Sequence, residues 1–145
     1  MPTLEITTNL KQEIAVNIQA IITNTSTVGN IIAAADFDHG INFSFFSGAR
    51  TDGTYNILIE HGDASDLSDA VAVPDSQLRG QDPTSTVAPE LQAQITAANK
   101  IKKIGYVGPK AFVRATIVST VVTTGATLGC IVSKMPEIMP AAITV

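Results

Sequence analysis

Charged residues are scarce in this sequence. Asp, Glu, Lys and Arg make up 15% of its 145 residues, whereas ordinary globular domains contain about 25%. So low a charge is typical of a protein that hides part of its surface in an assembly. A neutral surface rich in Thr, Ser and Asn is the alternative explanation.

Basic residues are also too few for recognition of phosphate. The formal net charge is −4, and the only basic cluster consists of Lys100, Lys102 and Lys103. Binding to nucleic acid through its backbone requires a concentrated footprint of Lys and Arg. We therefore expect no direct contact with nucleic acid.

Cysteine and long apolar runs are nearly absent. The one cysteine, Cys130, excludes an intrachain disulfide, and its apolar neighbours in a predicted strand indicate a buried, inert thiol. Residues 1–12 lack the apolar core of a signal peptide. No run approaches the ~20 apolar residues that span a membrane. We expect a protein made in a reducing cytoplasm, with no membrane partner.

β-branched residues dominate what is present. Ile, Val and Thr (17, 12 and 17 residues) outnumber the charged residues about twofold, and such side chains favour strands. Alternating or apolar runs predict about eight strands within one all-β domain, a β-sandwich or barrel, with a jelly roll as one form. The predicted strands cover residues 14–22, 31–37, 41–46, 54–62, 70–73, 101–107, 112–119 and 128–134.

The alternation also predicts which side chains face the core. Five residues of the first strand share one face and indicate a half-buried strand: Ile14, Val16, Ile18, Ala20 and Ile22. Val113, Ala115 and Ile117 share a face in a later strand, since strand side chains have a period of two. Asp52 and Gly53 predict a tight hairpin turn between two strands rich in Phe and Tyr.

Three segments fall outside the strand pattern. Residues 1–12 form a predicted N-terminal arm, residues 75–99 a long Pro-containing loop or a short helix after Pro89, and residues 135–145 an extended apolar tail. Long loops without secondary structure are usually functional or disordered. An apolar tail is expected to dock, either across its own domain or on a neighbour.

Three stretches carry a resemblance to a known group of proteins. They are IGYVGPKAFVRATI (residues 104–117), TTGATLGCIV (residues 123–132) and ARTDGTYNILIE (residues 49–60). Together they resemble a group of small tailed-bacteriophage virion proteins over residues 32–142, with residues 78–99 departing from the pattern. The resemblance implies a head-associated structural protein of the decoration or cement type.

Candidate chemistry is sparse. Asp36, Asp38, His39 and His61 are potential metal ligands, but the spacing favours solvated turn residues. Three aspartates in a loop form only a loose approximation to a calcium loop: Asp63, Asp66 and Asp69. Neither a nucleophile motif nor a phosphate-binding motif occurs. We expect no enzyme activity, no metal site and no cofactor.

The hypothesis from the sequence is therefore structural. We expect a homo-oligomeric virion protein on the capsid surface that contacts the major capsid protein and copies of itself. The alternative is a carbohydrate- or receptor-binding module of a tail or fibre. Candidate interface residues are Leu4, Ile6, Leu10, Leu78, Leu91, Ile95, Arg114, Met135, Ile138 and Met139. For Arg114 two roles are open: a bridge to a carboxylate of a neighbouring subunit, or packing beside Tyr106.

Overall fold

The computed structural model describes residues 10–34 and 40–135. Within these ranges it contains nine strands, one 3₁₀ helix (Asp75–Gln77) and one short α-helix, α1 (Pro89–Gln92). The strands are β1 (Lys11–Ile21), β2 (Ser26–Ala33), β3 (Ile41–Arg50), β4 (Thr54–Gly62), β5 (Val71–Ala72), β6 (Leu78–Arg79), β7 (Ile101–Tyr106), β8 (Phe112–Thr120) and β9 (Ala126–Lys134).

The strands form two antiparallel sheets. Sheet A has the order β1-β9-β3-β7-β6, and sheet B the order β2-β8-β4-β5. The buried apolar side chains of both sheets form one core between them. The prediction of an all-β fold is confirmed, and it is a sandwich rather than a closed barrel.

The core is formed by strands whose apolar side chains alternate. Every second residue is buried in β3 and along most of β4. In β8 the predicted face of Val113, Ala115 and Ile117 is fully buried. These inward faces meet because a strand points successive side chains to opposite sides of its sheet.

The predicted hairpin at Asp52 and Gly53 is wrong. The turn exists, and Gly53 has a φ of +96° that suits glycine. However, β3 belongs to sheet A and β4 to sheet B, so the turn carries the chain across the core. A local turn signal does not specify whether the strands on either side of it pair.

For the first strand, the prediction of which side chains face the core is wrong. β1 has register shifts between Ile14 and Val16 and again between Val16 and Gln19. A β-bulge adds an unpaired residue and reorients the side chains that follow. Ala15 and Val16 are therefore both buried, whereas three apolar residues of the predicted buried face are exposed: Ile14, Ile18 and Ile22.

The second strand begins earlier than predicted, at Ser26. The sequence alone predicts a loop over residues 23–30, because Asn, Ser, Thr and Gly are frequent there. Residues 26–30 form a strand instead, because residues 26–28 pair with residues 116–118 of β8. A Cβ on Gly29 would overlap the carbonyl oxygens of Ala15 and Ala115. The backbone of β2 passes close to β1 and β8 here, and only glycine fits.

Residues 75–99 are not one irregular loop. They contain the 3₁₀ helix, β6 and α1, and the helix begins at Pro89 as predicted. It ends at Gln92, and Ile95 then exchanges two backbone hydrogen bonds with Tyr55. None of the helices in the described ranges has the length and apolarity needed to cross a membrane.

Candidate interaction surface

The outward face of sheet A carries apolar side chains in neighbouring rows. Ile14 of β1 is paired with Ile131 of β9, and Phe46 of β3 with Ile101 of β7. Directly paired residues in antiparallel strands have side chains on the same face and close together. The four side chains therefore belong to the outside of the sheet, opposite the core.

Ile18 joins the two rows. A Cβ on Gly129 would lie 2.9 Å from Ile18 Cγ1 and 2.7 Å from Phe46 Cζ, so both side chains lie over this glycine. We call the set of Ile14, Ile18, Phe46, Ile101 and Ile131 the sheet A patch. Ile14, Ile18 and Ile101 are 51%, 62% and 64% exposed, and Phe46 and Ile131 are half-buried.

Polar side chains border the sheet A patch on one side. Asn42 Nδ2 donates to Ser44 Oγ at 3.1 Å, and Gln12 Nε2 donates to Ser133 Oγ at 3.2 Å. Lys103 is paired with Ser44 at the β7 edge. The surface therefore combines an apolar centre with a polar rim, which is the usual anatomy of a protein interface.

A groove lies at the end of the same face, where β3 begins and β7 and β9 end. Its volume is about 320 Å³. Its lining residues include Leu10, Ile41, Tyr106, Val107, Met135 and Arg79. The lining is apolar apart from Arg79 and a few small polar groups.

The loops at the opposite end of the sandwich are held by Asp52. Its Oδ1 accepts backbone N–H groups of Thr123 and Gly125 at 3.1 and 2.9 Å, and both of its oxygens accept from Thr124. The hydrogen bond from Gly125 contributes most to lowering the pKa of the Asp52 carboxyl, because it stabilises the charged form. Asp52 thus ties the β3–β4 turn to the β8–β9 loop.

The potential metal ligands have structural partners. His61 Nδ1 lies 2.8 Å from Tyr106 Oη, and burial lowers the pKa of His61. Asp36, Asp38 and His39 lie outside the described residues. Within residues 10–34 and 40–135, no three His, Cys, Asp or Glu residues are grouped as a metal site would require.

The three loop aspartates likewise have partners in the chain. Asp69 accepts the backbone N–H groups of Asp63 and Ala64, and Asp66 accepts that of Ser68. Asp63 binds the Lys110 ammonium at 2.7 Å, and this hydrogen bond lowers the pKa of Asp63. The cluster fits a charged loop that stabilises its own backbone.

Cys130 lies in the core at 0% exposure. Burial raises the pKa of its thiol far above the usual value, because a thiolate loses its hydration there. The expectation of a buried cysteine is confirmed.

The candidate interface residues fall into different environments. Leu78 of β6 and Ile95, which lies outside the strands, are both buried in the core and are therefore not available as surface contacts. Leu91 is exposed, and Leu10 and Met135 line the groove. Leu4, Ile6, Ile138 and Met139 lie outside the described residues.

Arg114 has a partner within its own chain. Its Nη2 lies 2.9 Å from Glu60 Oε2 on the neighbouring strand β4, and its Nε donates to the same oxygen at 3.2 Å. Arg114 lies on the outward side of sheet B, whereas Tyr106 is a core residue of sheet A. The ion pair with Glu60 accounts for the position of the Arg114 side chain without either of the two roles considered from the sequence.

Sequence reasoning missed the sheet A patch. The signal was present, since Ile14, Ile18 and Ile22 share a face in the alternating pattern. An apolar face is ordinarily assigned to the core, and the bulges of β1 that expose these residues leave no local mark in the sequence.

Comparisons with known proteins yield a distant structural neighbour. A scan against protein-family models gives no match, and a search of curated proteins gives none. Among solved structures, the chain is similar to the crystal structure of the SPBc2 prophage-derived protein YomS, with a TM-score of 0.48 and 13% sequence identity. The similarity covers 86% of this chain and 93% of that chain. A likeness this weak carries no argument about function.

Proposed function

We propose that this chain is a non-catalytic structural protein of a tailed-phage virion, which decorates or cements the capsid as a homo-oligomer. The resemblance in residues 49–60, 104–117 and 123–132 supports the class of protein. The observation that carries the proposal is the sheet A patch, because apolar side chains on a sheet's outer face are better stabilised when a partner covers them.

The mechanism is adhesion through a rigid surface. A standard interface buries about 800 Å² on each partner. Weak contacts of this kind gain strength when many copies are held on one shell, because each further contact is made at high effective concentration. The partners in this proposal are the major capsid protein and further copies of the chain.

The first test is self-association of variants with charge in the sheet A patch. Ile18→Lys and Ile101→Lys place a charge where an apolar contact would form, and we expect both to shift the purified protein toward monomer. Light scattering after size exclusion measures the mass. The free energy of unfolding should change by about 0.5 kcal/mol or less, because both side chains are exposed.

A matched control separates this effect from added charge alone. Val71 in β5 is 55% exposed and lies at the edge of sheet B. Val71→Lys should leave the mass of the assembly unchanged. A wild-type protein that is monomeric at every concentration, or equal loss of assembly in all three variants, would refute the assigned surface.

The second candidate function is a receptor- or carbohydrate-binding module of a tail or fibre. Such sites usually present aromatic platforms, and this chain has no tryptophan. Of its largest buried side chains, four are aromatic core residues: Tyr55, Tyr106, Phe43 and Phe45. Phe46 is the aromatic side chain of the sheet A patch, and binding of a glycan there would favour this second function.

A further inference from the structure

Met135 lines the groove of sheet A and is the last residue that the structure describes. Lys134 is paired with both Lys11 and Ile41, so β9 ends where β1 and β3 begin. The Met135 N–H donates to the Gly40 carbonyl at 2.9 Å, which fixes the backbone at this point. Residues 136–145 therefore start at the wall of the groove.

The length of this C-terminal segment suits the groove. Its ten residues have the sequence PEIMPAAITV and reach at most about 35 Å when extended. The groove lies next to their starting point, so only the first few residues are needed to fill it. Ile138 and Met139 are the first large apolar side chains after Met135, and methionine adapts well to irregular apolar gaps.

Charge complements this apolar match. Glu137 is the only charged residue of the segment, and the cationic residue in the groove lining is Arg79. Arg79 Nη1 donates to the carbonyls of Ser76 and Leu78. Within the described part of the chain, no carboxylate forms a salt bridge with Arg79.

We propose that residues 136–145 dock in the groove of their own molecule, with Ile138 and Met139 as the apolar occupants and Glu137 beside Arg79. The chain's own segment is favoured over that of a neighbour because a short tether supplies an effective concentration in the millimolar range. Pro136 has the fixed φ that suits the second position of a turn, which would direct Ile138 back toward the sheet. This inference is independent of the proposed function.

Disulfide trapping in the full-length chain tests the docking. In the double variant Val107→Cys, Ile138→Cys, one thiol is in the groove lining and the other in the segment. We expect mild oxidation to consume both thiols while the protein still migrates as a monomer on a non-reducing gel. Cys130 is buried in the core, so we expect its thiol not to react under mild oxidation.

The matched control is Val28→Cys, Ile138→Cys. Val28 is exposed on sheet B, and its thiol should remain free under the same conditions. A covalent dimer in the groove variant would show that a second copy supplies the segment and would overturn the proposal. Two free thiols in both variants would overturn it as well.

A second readout does not depend on disulfide geometry. Because the chain has no tryptophan, Ile138→Trp introduces a single tryptophan, whose fluorescence can be excited selectively at a wavelength where tyrosine does not absorb. We expect blue-shifted emission that resists quenching by acrylamide, and loss of both properties when Arg79→Glu is added. Emission typical of exposed tryptophan in the single variant would contradict docking, whatever the oligomeric state of the protein.

Discussion

Val121 has a backbone conformation that β-branched residues seldom adopt. Its φ is +56°, and its side chain is 77% exposed at the start of the β8–β9 loop. A non-glycine residue in this region costs on the order of 1 kcal/mol. The cost is imposed by the neighbours of Val121, since the Val122 N–H is bound by Asn24 Oδ1 at 2.8 Å and Asp52 holds the residues that follow.

Replacing this valine should stabilise the protein. Val121→Asn puts a residue that tolerates positive φ at the same exposed position. We expect the free energy of unfolding to rise by about 1 kcal/mol. Chemical denaturation measures the difference. The control Val87→Asn changes an exposed valine whose φ is negative, and equal stabilisation of both variants would rule out relief of strain.

His61 gives the fold a dependence on pH. It packs edge-to-face on Tyr106 with ring centroids 5.7 Å apart, and Tyr106 Oη also accepts the Lys110 N–H at 3.2 Å. Burial lowers the pKa of His61 below 6.5, and the positive charge of Lys110 lowers it further, while Asp63 and Asp69 oppose this shift. The folded protein therefore favours the neutral imidazole.

The sign of the effect follows from linkage. Well above pH 6.5 the imidazole is neutral in both the folded and the unfolded chain, so it adds no pH dependence to the stability there. As the pH falls below 6.5, the unfolded chain takes up a proton that the folded chain resists, so stability decreases. Between neutral pH and the pH at which carboxylates titrate, we expect the melting temperature of His61→Gln to fall less than that of the wild type. If the melting temperatures of both proteins fall equally with pH, His61 does not contribute to the pH dependence of stability.

At the level of secondary structure, the exposed edge of β4 is covered by three short elements. β5 pairs with Glu60 and His61, and Ile95 pairs with Tyr55. Between them, Glu90 of α1 accepts the Ile59 N–H at 2.7 Å. An uncovered edge is a template for unwanted strand pairing, so these elements protect sheet B.

Glu90 is therefore predicted to anchor α1. Glu90→Ala should reduce the free energy of unfolding by about 1–3 kcal/mol, because it leaves the buried N–H of Ile59 without an acceptor. Glu90→Gln keeps an acceptor oxygen and should lose less. Urea titration of both variants distinguishes the lost acceptor from the lost packing, and equal losses would exclude the anchoring role.

The sequence predicted strands more reliably than their pairing. Alternation located β3, β4 and β8 because each buries one face against the core. It did not identify the strands with which they pair. The turn at Gly53 has the same local sequence whether it joins two paired strands or crosses from one sheet to the other. The edge cover by Glu90 and Ile95 was also missed, because it depends on contacts between residues 31 and 40 positions apart.

For the molecule as a whole, two surfaces have different proposed roles. We propose that the groove at Met135 takes the chain's own C-terminal segment, which would leave the sheet A patch for partners. Prediction of this patch from sequence was limited by β1, whose bulges turn Ile14 and Ile18 outward. A sandwich with an apolar outer face is suited to adhesion, which is the role that the proposed function assigns to this face.

The copy number of the chain in purified virions is the most direct measurement of this role. Quantitative mass spectrometry compares it with the major capsid protein in the same particles. A decorating or cementing protein should occur in numbers of the same order as the shell subunits. Absence from the particles, or the few copies typical of a tail fibre, would contradict the proposed function.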